Sequence, residues 1–143
     1  MRARQHARDG RLVAVTWNVW FSPTAFDQRL RALMREVLEA GADLVGFQEA
    51  TPRFEAALRG CKPLCAAYNI SPFPVGQYGC LVLVRRTLPA HFKSVPLRSE
   101  MDRSLVVAEI FAPSSSSSPS DPPSLVFATV HLESRNSEPT RQN

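Results

Sequence analysis

The sequence predicts an α/β fold: one mixed sheet with two helices on one of its faces. Three observations lead there. The apolar run "RLVAVTWNV" (11–19), a stretch of helical period and the run "DLVGFQE" (43–49) follow at the spacing of a βαβ unit. A second helical stretch, "TPRFEAALRG" (51–60), comes next. From residue 80 onward the chain turns to short β-branched runs punctuated by Pro, Gly and Ser.

Taken in order, the first strand is expected over Leu12 to Val19. Ser22 is placed as N-cap of the first helix with Pro23 at its first position. Phe26, Leu30, Leu33, Met34, Val37 and Leu38 then form one apolar face, and Gly41 caps the C-terminus. The second helix repeats that grammar, with Thr51 as N-cap, Pro52 first inside and Gly60 as terminator. "SPFPVGQYG" reads as a loop, and "CLVLVRR", "SLVVAEIF" and "SLVFATVHL" as strong strands. "HFKSVPL" is a weaker strand, interrupted by Pro96. The Ser/Pro-rich stretch 112–124 has nothing to bury and is expected to be a flexible hairpin loop. Residues 1–10 read as a basic tail, 11–135 as the domain and 136–143 as a polar tail. The central strands are continuous apolar runs, so both sheet faces need cover. Two helices cover one face, so the other is expected to stay open, for a partner or for a missing part of the domain.

At 143 residues there is room for a single core. The formal charge of +4 is nearly all arginine, with Lys62 and Lys93 the only lysines. Arginine suits phosphate oxygens, although a solvated basic surface has the same composition. Cys61, Cys65 and Cys80 offer no paired framework, and Cys61 and Cys65 lack a second Cys/His pair at zinc spacing. A reduced, intracellular protein is expected. No run is long and apolar enough for a signal sequence or a membrane span.

The residues that stand out end the strands. A βαβ unit puts the carboxyl ends of its two strands at one sheet edge, where α/β proteins bind ligands. Asn18 ends the first strand, and Gln48 and Glu49 end the second. A carboxylate beside a neutral amide suits a magnesium–phosphate site, since Mg²⁺ takes oxygen ligands and often one or two carboxylates. The same residues could instead form a turn (Asn18) and favour a helix start (Glu49). His131 ends the last apolar run, followed by Glu133 and Ser134. It is either structural or a donor to a phosphoryl oxygen.

In order, "TWNVW", "LVGFQEATP", "YGCLVLVR", "MDRSLVVAEIF" and "FATVHLESR" resemble the endonuclease/exonuclease/phosphatase superfamily. "FQEATP" and "HLESR" are most similar to its tyrosyl-DNA phosphodiesterase 2 branch. The resemblance implies a four-layer α/β/β/α sandwich, of which this chain would be the N-terminal half. It also implies phosphodiester hydrolysis with Mg²⁺ (or Mn²⁺) on DNA 5′ ends, hence a role in DNA repair and a nuclear location. By the same resemblance Glu49 is the metal ligand, and Asn18 and His131 are catalytic. Tyr78, Arg103 and Ser134 fall at substrate-binding positions. The family's downstream Asp-x-Asn motif and closing Asp-His or Ser-His pair have no counterpart before Asn143, so the rest of the domain is expected to cover the open sheet face. The alternatives are a truncated, non-catalytic product and a same-fold nuclease or phosphatase for another phosphoester.

Overall fold

The computed structural model describes residues 11–73, 78–112 and 122–132. Its elements run β1 (Ala14–Asn18), α1 (Phe26–Ala40), β2 (Leu44–Ala50), α2 (Pro52–Gly60), α3 (Lys62–Ala67), β3 (Tyr68–Ile70), β4 (Gly79–Arg85), β5 (Ala90–Pro96), β6 (Ser104–Ile110) and β7 (Leu125–Thr129). The first sheet has the order β1-β2-β4-β3. Within it β1 and β2 are parallel, joined by the α1 crossover, and β4 runs antiparallel to β2 and β3. The expected mixed sheet and α/β class are found.

The helices lie on one face of this sheet. Leu33 and Val37 of α1, Phe54 and Leu58 of α2 and Leu64 of α3 share a core with Val45, Phe47, Leu81 and Leu83. Each such side chain stabilises the fold by about 1.5–3 kcal/mol when fully buried. Alternate residues of the same strands, Leu44, Cys80, Val82 and Val84, point the other way. They pack against Val106, Ala108, Ile110, Phe92 and Phe127.

Those partners correct one expectation. The strands after residue 90 do not extend the first sheet. They form a second, antiparallel sheet of order β5-β6-β7 that covers the face expected to be open. A strand buried on both sides reads as a continuous apolar run whether helices or a second sheet lie over it. Among the described residues, most of the exposed large apolar side chains, Val95 of β5 apart, lie instead around β1 and β7. They include Leu12, Val13, Trp17 and Trp20 near the first, and Leu125, Val126 and Leu132 near the second.

Gly46 sets how closely the sheets approach. A Cβ there would lie 3.0 Å from Thr129 Cβ and 3.1 Å from its Oγ1, so glycine lets β7 cross directly over β2. Gln48 Nε2 then donates to Thr129 Oγ1 at 2.5 Å and to Thr16 Oγ1 at 2.9 Å, tying β1, β2 and β7 together. This contact brings the end of β7 against the carboxyl ends of β1 and β2.

Thr51 caps α2 as expected, its hydroxyl accepting from the Phe54 N–H at 3.2 Å with Pro52 at the helix start. Gly41 ends α1 at φ +59°. The start of α1 differs from expectation. Ser22 is not its N-cap; the helix begins at Phe26 behind Ala25. Ser22 Oγ instead accepts from the Thr24 N–H at 3.2 Å, a local turn that competes with helix initiation. The short α3 and β3 were not anticipated. The Ser/Pro segment does link an antiparallel pair, Ile110 facing Leu125, although most of its residues, like both tails, lie outside the described ones. Among the described residues no helix is long and apolar enough to cross a membrane.

Candidate active site

β2 ends in an irregularity: the pairing with β4 shifts between Phe47 and Ala50, and Glu49 takes φ +59°. A non-glycine residue in that region costs about 1–3 kcal/mol and persists only where its surroundings fix it. Here they do. Glu49 Oε1 accepts from Asn18 Nδ2 at 3.0 Å, and Oε2 accepts from the Phe21 backbone N–H at 3.2 Å. The bulge turns the carboxylate towards the β1 end.

Asn18 makes the expected turn and also reaches Glu49. Its Oδ1 accepts from the Trp20 N–H at 2.9 Å, forming the turn out of β1, while its Nδ2 holds Glu49. Trp20 is itself left-handed at φ 53°. Glu49 lies two residues before the Thr51 cap of α2, and its carboxylate oxygens are bonded to Asn18 and the Phe21 N–H rather than to the helix.

The register of the strands delivers the remaining groups. Ala50 pairs with Gly79, which starts β4 at the end of β2, and the Tyr78 hydroxyl just before it reaches the Glu49 carboxylate. Val106 pairs with Thr129, so Arg103 before β6 and His131 after β7 lie at the same end of the second sheet. The Tyr78 hydroxyl is 3.0 Å from His131 Nδ1. With Tyr78 donating, the ring proton is on Nε2, which lies 3.8 Å from Glu49 Oε1. Arg103 is 5% exposed, its guanidinium carbon 4.9 Å from the Tyr78 ring centroid, and its buried Nε has no hydrogen-bond partner among the described residues. Phe21 meets Tyr78 edge-on at 5.6 Å. Tyr78, Cys80, Asp102, Arg103 and His131 line a small cleft here.

Electrostatics follow from these contacts. Burial works against the Glu49 charge, but the Asn18 amide, the Phe21 N–H and His131 outweigh it and hold the carboxyl below its ordinary range. Burial, with the nearby Arg103 charge, lowers the His131 pKa despite Glu49. Burial likewise raises the Tyr78 pKa. Near neutral pH the site therefore holds an anionic Glu49, a neutral His131 and a protonated Tyr78. Burial also raises the Cys80 thiol, which keeps it unreactive.

Five of the six residues singled out in the sequence thus form one cluster: Asn18, Glu49, Tyr78, Arg103 and His131. Ser134 lies outside the described residues. Two contributors escaped the sequence. The Phe21 donor is a backbone amide, which leaves no mark in a sequence, and Arg29, which organises the loop carrying it, looks like any arginine on a helix.

The described residues hold no cluster of three or more His, Cys, Asp or Glu able to bind a metal. Mg²⁺ does not need one, because it binds through one or two carboxylates and keeps several waters. Glu49 is an anionic oxygen donor, fixed by two hydrogen bonds and with its side chain 14% exposed. That donor set fits a hydrated Mg²⁺ and does not fit a softer ion that wants nitrogen or sulfur.

A site closed where two stacked sheets meet, with an asparagine and a glutamate at adjacent strand ends, is the arrangement that the ordered motifs imply. The Endonuclease/Exonuclease/phosphatase family model matches residues 15–136, and the chain belongs to that family. Within it the fold is shared with solved TDP2 structures. D. rerio TDP2 complexed with a single-strand DNA product superposes with a TM-score of 0.72 at 21% identity, over 91% of this chain and 49% of that one. TDP2 from C. elegans gives 0.71 at 22%, over 89% and 38%. The human Nocturnin catalytic domain with bound sulfate gives 0.63 at 16%, over 85% and 50%. The chain thus spans half or less of the length of each of these structures. No curated protein sequence matches it significantly.

Proposed function

We propose that this chain carries the metal- and phosphate-binding side of a Mg²⁺-dependent phosphoester hydrolase acting on DNA, with 5′-tyrosyl ends as the substrate. The observation that carries the reading is the Glu49 carboxylate, kept ionised by Asn18 and the Phe21 N–H within 3.8 Å of His131. The D. rerio TDP2 structure with its single-strand DNA product supports DNA as the substrate class. On this reading the protein works in DNA repair, in the nucleus.

Glu49 would hold the ion, Mg²⁺ or Mn²⁺, and Asn18 would keep its carboxylate aimed without adding negative charge near a phosphate. The bound ion supplies Lewis-acid polarisation of the phosphoryl oxygens. His131, neutral with its proton on Nε2, donates that proton in a hydrogen bond to a phosphoryl oxygen as charge develops there. With its hydroxyl donating to Nδ1, Tyr78 would hold the imidazole in that tautomer from the other side. Arg103, buried behind the Tyr78 ring, supplies a positive field that favours an anionic substrate and an anionic leaving group. Trp20 and Phe21, 51% and 58% exposed at the rim, offer faces on which unpaired bases can stack.

The test is fluorescence anisotropy with matched single-stranded oligonucleotides ending in 5′-phosphotyrosine or 5′-hydroxyl, followed by product analysis with Mg²⁺ present. Tighter binding of the tyrosyl end and release of a 5′-phosphate support the proposal. Preferential binding without turnover would favour a non-catalytic binding protein. Equal binding of both ends, with cleavage of some other phosphoester, would favour a same-fold nuclease or phosphatase.

A further inference from the structure

The loop between β1 and α1 carries the Phe21 N–H that orients Glu49, and one side chain gathers most of its carbonyls. Arg29, in the first turn of α1, reaches back over it. Its Nη1 donates to the Val19 carbonyl at 2.7 Å and to the Trp20 carbonyl at 3.1 Å. Nη2 donates to the Ser22 carbonyl at 2.5 Å and Nε to the Thr24 carbonyl at 3.0 Å. The guanidinium also lies 4.8 Å from the Trp20 ring centroid. Four carbonyls of a six-residue stretch thus converge on one planar cation, whose fixed fork no other side chain reproduces.

This arrangement explains how the strained part of the loop persists. Trp20 and Ala25 both have left-handed φ, at 53° and 47°, and the carbonyls between and around them would otherwise turn to water. Holding the Trp20 carbonyl fixes the peptide plane that also contains the Phe21 N–H, because one planar amide carries both groups. That N–H donates to Glu49 Oε2 at 3.2 Å. The path from Arg29 to the carboxylate therefore runs through a single rigid peptide unit. The Phe21 ring carries the same order on to Tyr78, 5.6 Å away.

We infer that Arg29 is a positioning residue of the active site, aiming the Glu49 carboxylate, and through it a divalent cation, by clamping the 19–24 loop. The inference deepens the proposed function and rests on it for the cation alone. Outer partners that orient a metal-binding carboxylate typically matter by roughly 10- to 100-fold in affinity.

The test compares the wild-type chain with Arg29→Ala and Arg29→Lys by two readouts. The first is backbone amide exchange of Trp20 and Phe21, followed by NMR in the absence of metal. The second is Mn²⁺ affinity measured by electron paramagnetic resonance. In Arg29→Ala the Phe21 amide loses protection while the amides of β2 and β4 keep theirs, and Mn²⁺ binding weakens roughly 10- to 100-fold. Arg29→Lys falls between, since one ammonium cannot span the four carbonyls. Millimolar guanidinium restores part of the Mn²⁺ affinity to Arg29→Ala and none to Arg29→Lys, whose side chain fills the slot. A purely structural arginine would show neither the selective exchange nor the rescue. Unchanged Phe21 exchange in Arg29→Ala overturns the inference, as does unchanged Mn²⁺ affinity where the wild type binds the ion. If the wild type binds no Mn²⁺ but Phe21 protection still depends on Arg29, the metal reading fails and the clamp stands. Should Arg29→Ala lose its β2 and β4 protection as well, Arg29→Lys decides by the same two measurements.

Discussion

Asn18 Nδ2 donates to Glu49 Oε1 across 3.0 Å, joining the last residue of β1 to the residue before the last of β2. One amide thereby makes a turn with its oxygen and holds a charge with its nitrogen. Asn18→Asp keeps the turn acceptor but replaces the donor with a second negative charge beside Glu49. We expect Asn18→Asp to lower stability at pH 7 by about 1 kcal/mol, the scale of two charges about 4 Å apart in water-like screening. The loss should shrink on acidification towards pH 4 or on adding Mn²⁺. Thermal melts across pH and metal concentration check this, and a loss independent of both would contradict it.

The crossing of β7 over β2 depends on Gly46. In Gly46→Ala the new methyl meets Thr129 Cβ at 3.0 Å and its Oγ1 at 3.1 Å, so the Thr129 side chain and the strand that carries it must shift. Overpacking of this kind typically costs about 1–3 kcal/mol. Thr129→Gly in the same chain should recover much of the Gly46→Ala loss, giving a clear coupling in a double-mutant cycle. Additive effects would mean the sheets do not meet there.

Much of this was legible in the sequence, for identifiable reasons. Asn18, Glu49 and His131 are polar residues that end apolar runs, and βαβ geometry alone brings the first two together. The caps at Gly41 and Thr51 follow from backbone chemistry that a sequence displays directly. The second sheet was not legible, because Leu81 and Val82 are equally apolar although one faces helices and the other faces strands. Ser22-Pro23 has the grammar of a helix start, yet its hydroxyl serves Thr24 and its carbonyl serves Arg29. The bulge at Glu49 was hidden too, since nothing in "FQEATP" marks a left-handed glutamate.

The pH dependence has a definite sign. The His131 pKa lies below its ordinary 6.5 when folded, so the unfolded chain takes up its proton first as pH falls. Its contribution is fully present above 6.5 and is lost as pH falls through the folded value. Glu49, held below 4.5, stays ionised in that window. Wild-type protein in EDTA should therefore lose more stability between pH 7 and pH 5 than His131→Gln does. Identical slopes would mean that His131 is not held neutral by its surroundings.

The strands β1 and β7 each lie at a sheet edge with apolar side chains exposed on or beside them, Val13 just before β1 at 43% and Val126 in β7 at 55%. Unpaired apolar edges template pairing with another chain. The chain should self-associate at high concentration, and Val13→Lys with Val126→Lys should suppress this with little change in the melting temperature. A monodisperse monomer that binds no hydrophobic dye would contradict the exposure of these edges.

On the proposed function, Glu49 is the group that binds the cation. The most direct test is calorimetric titration of Mn²⁺ into the wild-type chain and Glu49→Gln, with melting temperatures recorded for both. Glu49→Gln keeps the size of the side chain but sets an amide NH₂ against one of the two donors, Asn18 Nδ2 or the Phe21 N–H, so metal-free stability should fall by about 1 kcal/mol. We expect one bound Mn²⁺ in the wild type and an affinity at least roughly tenfold weaker in Glu49→Gln, the scale on which metal-site substitutions act. Equal Mn²⁺ affinity in a folded Glu49→Gln chain would contradict it.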